Sequence, residues 1–237
     1  MQTSKIAYNL SGKIYQFSGY VSSGLDKTAK RFVGEAIYGM LCSQSVLLTE
    51  FGRTLQSTAN FKKIKEHYCC QLQKPKLWDC IHRQVLNDAG ARISPDTLLI
   101  LDLSDITKKY AQKMQYLATM RDGRAEGELT NGYWTTHVIN VDLDSDRVLP
   151  LYQELYSQEA PDLTSEKAQI LAAIDRVEAV EEVRSIRVID RGRDRNVLFD
   201  RLLDRQAPTE FIIRLVGEQH LLYRGKKKQA LELTRTC

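Results

Sequence analysis

The most constraining feature of this sequence is an uninterrupted apolar run that ends in an aspartate. Residues Leu98–Leu101 are all aliphatic, Ser94-Pro95 precedes them, and Asp102 follows directly. A continuous apolar run bounded by a proline turn predicts a strand that is buried on both faces. Such strands lie in sheets covered by helices, and ligands bind beyond their C-terminal ends. The sequence therefore places Asp102 where the chemistry of an α/β fold is usually found.

A second stretch has the same form, because Ser185–Ile189 runs directly into Asp190. Two carboxylates that converge on one point repel each other unless a hard cation lies between them, so the pair indicates a metal site. The alternative is that each aspartate only caps a loop or a helix, which is common for aspartate in loops.

Neighbouring acidic residues are assigned other roles. Side chains alternate along a strand, so Ser104 shares a face with Asp102 while Asp105 points the other way. We therefore expect Asp105 to cap backbone groups. Asp194 is better placed as a helix N-cap than as a metal ligand.

Composition is that of a globular protein with a mild basic excess. The 237 residues are 43% hydrophobic and 27% charged, with a net charge of +4 that permits a nucleic-acid partner without requiring one. The five cysteines have no paired zinc-site spacing, even where Cys69-Cys70 lies near Cys80 and His82, so we expect reduced thiols. The sequence has neither a signal peptide nor the roughly 18 apolar residues of a membrane span, which predicts a cytoplasmic protein without membrane contact.

Periodicity divides the chain into a helical domain at 1–92 and an α/β domain at 93–237. Residues 1–24 are expected to form a loosely organised arm. Four helices follow, at about Leu25–Leu41, after Ser45 with Leu47 and Leu55 buried, at Phe61–Leu72 and at Lys76–Ala89. In the third of these helices Lys62, Lys63 and Lys65 form the most basic face. These lysines can contact DNA phosphates, or they can simply be solvated.

The second domain alternates strand and helix. After the strand ending at Asp102, strands near 133–141 and 148–156 form a hairpin, and a helix begins near Thr164. The strand ending at Asp190, another helix and a strand at Phe211–Val216 complete the order. This is a mixed α/β sheet flanked by helices, in the order of the ribonuclease H-like fold.

These residues carry a resemblance to a known family. The segments Asp102–Ile106 with Lys108–Met114, Gly132–Trp134, Val188–Gly192 with Asp194, and Phe211–Arg214 recur here in the order seen in DDE transposases of bacterial insertion sequences. Over roughly residues 25–225, the chain resembles the N-terminal and central part of such a transposase.

The resemblance implies a function in DNA transposition. Asp102 and Asp190 would be the first two catalytic carboxylates, and they would also be metal ligands in a two-ion Mg²⁺ (or Mn²⁺) site. The reaction would be metal-dependent phosphodiester hydrolysis and strand transfer on double-stranded DNA, at transposon ends and target DNA. A homodimer on DNA is compatible with the resemblance.

The chain departs from the family at its third carboxylate, a glutamate within a Tyr…Arg…Glu…Lys signature. Glu210, Glu218 and Glu232 are the later glutamates, and none lies in such a signature. Glu232 belongs to Lys226–Leu233, which could form a short helix. We therefore expect a truncated transposase that is inactive alone. The alternatives are a non-catalytic DNA-binding fragment that inhibits the full-length transposase, or a nuclease of the same fold.

Overall fold

A computed structural model describes residues 2–54, 60–121, 128–145, 147–183, 185–190, 196–203, 210–214, 220–229 and 232–233. The chain divides into two compact units, residues 1–87 and 88–237, where the sequence places the boundary between residues 92 and 93.

The first unit is helical. Its helices are α1 (Gln2–Val21), α2 (Lys27–Ser43), α3 (Leu48–Thr54), α4 (Phe61–Leu72) and α5 (Pro75–Gly90), the last of which ends beyond the unit. Side-chain caps start two of them: Asp26 accepts from the Ala29 amide at 2.9 Å, and Asn60 accepts from the Lys62 amide at 3.0 Å. The four predicted helices are therefore confirmed as α2 to α5.

The predicted loose arm is wrong, since α1 is a helix of 20 residues. Its buried side includes Ser18 and Val21, and Ser22 follows, with the Ser22 hydroxyl donating to the Ser18 carbonyl. Small polar residues on the inner side weaken the apolar periodicity that identifies a helix in a sequence. Apolar spacing in the sequence therefore does not predict this helix.

Tyr68 of α4 is at the centre of the first unit's core. Its ring centroid lies 5.3 Å from those of Phe32 and Phe51, and its hydroxyl donates to Glu35 at 3.2 Å. Burial and the nearby Glu35 carboxylate raise the pKa of Tyr68.

Leu47, predicted to be buried, is 59% exposed because it precedes the first turn of α3. Leu55, also predicted to be buried, lies outside the described residues.

The second unit contains the predicted alternation of strands and helices. Its elements are β1 (Thr97–Thr107), β2 (Ala118–Arg121), β3 (Leu129–Asp142), β4 (Arg147–Tyr156), α6 (Glu166–Glu178), β5 (Ile186–Ile189), α7 (Asn196–Leu203), β6 (Phe211–Ile213), β7 (His220–Tyr223) and β8 (Lys226–Gln229). The hairpin β3–β4 is confirmed, whereas β2, β7 and β8 have no counterpart in the sequence prediction.

The main sheet is mixed, with strand order β2-β3-β1-β5-β6 and with β4 also paired to β3. Strand β3 is antiparallel to β1, β2 and β4, while β5 is parallel to β1 and β6 is parallel to β5. Gly132 of β3 pairs with both β1 and β2. A Cβ there would lie 2.4 Å from the Ile106 carbonyl oxygen and 2.5 Å from the Met120 sulfur. The position where β3 pairs with both strands therefore requires glycine.

Strand β1 is buried on one face only. Thr97, Leu99 and Leu101 are buried, and Leu99 and Leu101 line a small cavity with Ile174 and Val177 of α6. The residues between them, Leu98 and Ile100, are half-buried. The prediction of burial on both faces is therefore wrong, because an aliphatic side chain does not by itself require a buried position.

A buried ion-pair network attaches β5 to the end of α6. Arg187 is 4% exposed and donates to Glu181 and, at 3.2 Å, to the Ser185 hydroxyl. Glu178 lies 3.9 Å from Arg187 and also accepts from Arg201 of α7 at 3.0 Å. The network fixes β5, and hence the residue that follows it, relative to both helices of this unit.

The strands β7 and β8 form a separate two-stranded sheet. Arg224 and Gly225 between them have φ values of 50° and 74°, as a two-residue type I′ turn requires. Lys226–Gln229 is thus a strand, which corrects the short helix expected there.

No single helix among the described residues is long and apolar enough to cross a membrane. Helices α2 and α3 reach that length and composition only as a pair, with a bend of 93° between them.

Candidate functional site

Asp102 and Asp190 lie at the same end of two adjacent parallel strands. The register of β1 and β5 ends with Leu101 opposite Ile189, and each aspartate is the next residue of its chain segment. Leu101 and Ile189 are buried whereas both aspartates are exposed, as alternation along the strands requires. Neighbouring strands are about 4.8 Å apart, so the structure brings the two predicted site residues side by side.

The two carboxylates have polar neighbours on both sides. The Ser104 hydroxyl lies 3.4 Å from Asp102 Oδ2, and His137 of β3 is directly opposite Asp102 in the antiparallel register. The His137 Nε2 atom lies 2.6 Å from the Thr135 hydroxyl. Across β6, Arg214 approaches Asp190 Oδ1 at 3.7 Å. An imidazole and a guanidinium therefore flank the acidic pair along one row of the sheet.

The donor chemistry of this pair suits a hard cation. Carboxylate oxygens are the ligands that Mg²⁺ and Mn²⁺ prefer, and exposed positions leave room for the waters that Mg²⁺ retains. Within the described ranges, no group of three or more His, Cys, Asp or Glu side chains is close enough to hold a metal ion. The described part of the site therefore supplies two carboxylates.

The other acidic residues considered in the sequence lie elsewhere. Asp105 is on the opposite face of β1 from Asp102, across from Trp134. Glu210 precedes β6 at the strand end away from Asp190, where its carbonyl accepts from the Arg187 amide. Glu232 accepts from the Gln229 amide at 3.2 Å, at the end of the β7–β8 sheet. Asp194 and Glu218 are outside the described residues.

The three predicted DNA-binding lysines, Lys62, Lys63 and Lys65, are exposed on the first turns of α4. Glu66, also exposed, follows them at helical spacing from Lys62 and Lys63 and offsets part of their charge. This exposure is equally compatible with phosphate contacts and with a solvated face.

Seven chains of solved structures are similar to this chain, whereas no family model and no curated protein matches it. The chain is similar to one in the piggyBac transposase synaptic complex with hairpin DNA, at a TM-score of 0.46 and 13% identity over 78% of this chain and 41% of that one. It is also similar to a chain in the Drosophila P element transposase strand transfer complex. That similarity has a TM-score of 0.30 and 12% sequence identity, and it covers 86% of this chain and 53% of the other. This chain thus spans 41% and 53% of the two.

Sequence reasoning missed His137 and Arg214 as neighbours of the acidic pair. His137 stands alone in an apolar strand, and its relation to Asp102 depends on the register of two strands that are distant in sequence. A signal was available for Arg214, which ends a short aliphatic strand in the same way as the two aspartates.

Proposed function

We propose that the chain is a DDE-type DNA transposase with a ribonuclease H-like catalytic domain. The observation that carries this proposal is the position of Asp102 and Asp190, one residue beyond the last paired residues of parallel strands β1 and β5. The sequence resemblance assigns the first two catalytic carboxylates to the same residues. The sheet, with antiparallel strands β1 to β4 on one side and the parallel strands β5 and β6 on the other side of β1, supports the proposed fold.

In this proposal Asp102 and Asp190 hold Mg²⁺ or Mn²⁺, which when bound would activate the attacking hydroxyl and stabilise the leaving oxygen at phosphorus. The Ser104 hydroxyl donates to Asp102 and restricts its rotation. Arg214 places a positive charge 3.7 Å from Asp190 Oδ1 and lowers the repulsion between the two carboxylates. The buried Arg187 network keeps β5 in place behind Asp190.

Titration with Mn²⁺ in a calorimeter tests the metal site. Asp102→Asn and Asp190→Asn should each weaken binding by at least about tenfold, since even residues that only orient a ligand contribute 10- to 100-fold. Asp105→Asn is the matched control, because Asp105 is on the same strand but on the opposite face. Wild-type affinity in both site variants, or an equal loss in the control, would refute the metal site.

A nicking and strand-transfer assay on duplex DNA with Mg²⁺ or Mn²⁺ tests the reaction. Cleavage that disappears in both Asp→Asn variants supports the transposase proposal, and cleavage retained in both overturns it. Metal binding and DNA binding without cleavage is the result expected of a transposase site without its third carboxylate, and the non-catalytic DNA-binding role predicts the same result.

Duplex binding is the second part of the proposal. It is assigned to the α4 lysines and to the run Lys226–Lys228 of β8, with a homodimer on the DNA. The triple change of Lys62, Lys63 and Lys65 to Ala should reduce the slope of log K against log salt by about 2–3, at about 0.9 per phosphate contact. An unchanged slope would remove α4 from the interface, and sedimentation of the complex would measure its stoichiometry.

A further inference from the structure

A connecting loop beyond the acidic pair has the composition of a nucleic-acid contact. Residues 108–117, here called the β1–β2 loop, connect β1 to β2 and contain Lys108, Lys109 and Lys113 but no acidic residue. All three lysines are exposed, and none forms an ion pair with another residue in the described part of the chain. The loop therefore presents three uncompensated positive charges.

An aromatic ring lies among these charges. Tyr110, between Lys109 and Ala111, is 89% exposed. Its ring has no aromatic or cation contact within the described ranges, so both faces of the ring are open. Tyr223 of β7 differs, since Arg224 lies 5.2 Å and Lys228 6.0 Å from its ring centroid. Tyr110 is thus available for stacking, whereas Tyr223 already holds two cations.

The loop is also held in a fixed shape by β3. Asn131 Nδ2 donates to the Ala111 carbonyl at 3.0 Å, and the Tyr133 hydroxyl donates to the Gln115 carbonyl at 2.6 Å. Inside the loop, the Ala111 amide donates to the Lys108 carbonyl at 2.9 Å. A loop ordered in advance loses little conformational entropy when it binds a ligand, although its outward side chains contact nothing in this chain.

We propose that the β1–β2 loop binds an unpaired DNA strand, with one base stacked on Tyr110 and with Lys108, Lys109 and Lys113 on the phosphates. An exposed aromatic ring surrounded by cations is the usual arrangement for single strands, because every base offers a flat face for stacking. In a duplex the base faces are covered by their neighbours, so an open ring has little to contact. The loop begins where β1 ends at Thr107, five residues beyond Asp102 on the same strand.

This inference rests on the proposed function and extends it to a substrate with a locally unpaired strand. Its test is binding without metal, in EDTA, to a single-stranded oligonucleotide and to the matching duplex. The oligonucleotide carries 2-aminopurine, whose fluorescence decreases when it stacks on an aromatic ring. Tyr110→Ala should weaken single-strand binding by roughly 5- to 150-fold and restore the fluorescence, while Tyr110→Trp should retain both.

Tyr8→Ala is the matched control, because Tyr8 of α1 is also a highly exposed tyrosine, at 79%. The change of Lys108, Lys109 and Lys113 to Gln should lower the single-strand salt slope by about 2, at about 0.7 per phosphate. The proposal is overturned if Tyr110→Ala binds like the wild type, if it affects the duplex as strongly as the single strand, or if single-stranded RNA binds more tightly than DNA. Asp102→Asn should bind the oligonucleotide normally, so loss of cleavage and loss of strand binding are distinguishable.

Discussion

The two units of this chain place their central residues by different means. In the helical unit, Tyr68 contacts Phe32, Glu35 and Phe51, which all lie on helices that local apolar spacing predicts. In the sheet unit, Asp102 and Asp190 meet because two strands far apart in sequence pair in one particular register. A core depends on which residues are apolar. A site on a sheet depends on register, and a shift of one residue would move each aspartate to the opposite face.

The ion pairs of the two units differ in burial. In the helical unit, Arg31 pairs with Glu35 at 2.7 Å one helical turn away, and Lys74 pairs with Asp26 at 2.8 Å; all four side chains are exposed or half-buried. The sheet unit instead buries Arg187 against Glu181, six residues earlier in the sequence. Buried charge is costly unless it is paired, so the sheet unit should be the more sensitive to loss of a charged partner.

The largest expected effect is in the helical core. Tyr68→Ala should lower the free energy of unfolding by about 3–5 kcal/mol, because it removes a fully buried ring and leaves a cavity between Phe32 and Phe51. Tyr8→Ala, at an exposed position of α1, should change it by no more than about 0.5 kcal/mol. Chemical denaturation gives both values. Hydrogen exchange should accelerate in α2 to α4, and equal acceleration in β1 and β3 would contradict the division into two units.

The buried ion pair is the next test. Glu181→Gln should cost about 3 kcal/mol, because among the described residues it leaves Glu178, at 3.9 Å, as the remaining carboxylate near the buried charge of Arg187. Arg31→Gln, which breaks a surface pair of the helical unit, should cost under about 0.5 kcal/mol. The double change of Glu181→Gln with Arg187→Met should cost less than the two single changes together. Similar costs for Glu181→Gln and Arg31→Gln would remove the difference between the units.

Local signals were sufficient for most elements. The helices α2 to α5, the hairpin β3–β4 and the two aspartate-ended strands could all be predicted, because apolar spacing, caps and β-branched runs act within a few residues. Helix α1 was missed because serine fills part of its buried side. Strand β2 was missed because it has only four residues, too few to show a strand pattern in the sequence. It is defined by its pairing with β3.

The site could be predicted in part. Two similar strands that each end in an aspartate indicated that Asp102 and Asp190 converge, and the structure places both beyond the last paired residues of adjacent strands. Their roles in metal binding and catalysis remain predictions. His137 could not be found, because its position opposite Asp102 depends on the length of the connection between β1 and β3. The exposure of Tyr110 could not be predicted from the sequence either, because tyrosine occurs at both buried and exposed positions.

Alanine substitution of one glycine in each unit compares how closely the two units are packed at these positions. Gly132→Ala should lower the free energy of unfolding by about 2–3 kcal/mol, because its Cβ would lie against the Ile106 carbonyl and the Met120 sulfur. Gly19 of α1 has open space around it, so Gly19→Ala should raise the free energy of unfolding by up to about 1 kcal/mol. Thermal or chemical denaturation of the two variants gives the comparison. An unchanged free energy of unfolding in Gly132→Ala would show that Ile106 and Met120 do not pack tightly against this position.

A smaller expected effect than that of Gly132→Ala is a loss of stability at alkaline pH. Burial, followed by the charge of Glu166, raises the pKa of Tyr156 to about 12 from an ordinary value of 10. The folded state therefore keeps the phenol proton that the unfolded state releases, so this contribution is present below pH 10 and is lost as the pH rises toward 12. Between these limits the free energy of unfolding should fall by about 2 kcal/mol through this group. Tyr156→Phe cannot ionise, so its unfolding free energy should decline less over the same range in denaturant titrations. A decline as steep as that of the wild type would show that the alkaline sensitivity arises elsewhere, and Tyr68 of the helical unit, whose pKa is also raised by burial, would be the next residue to replace.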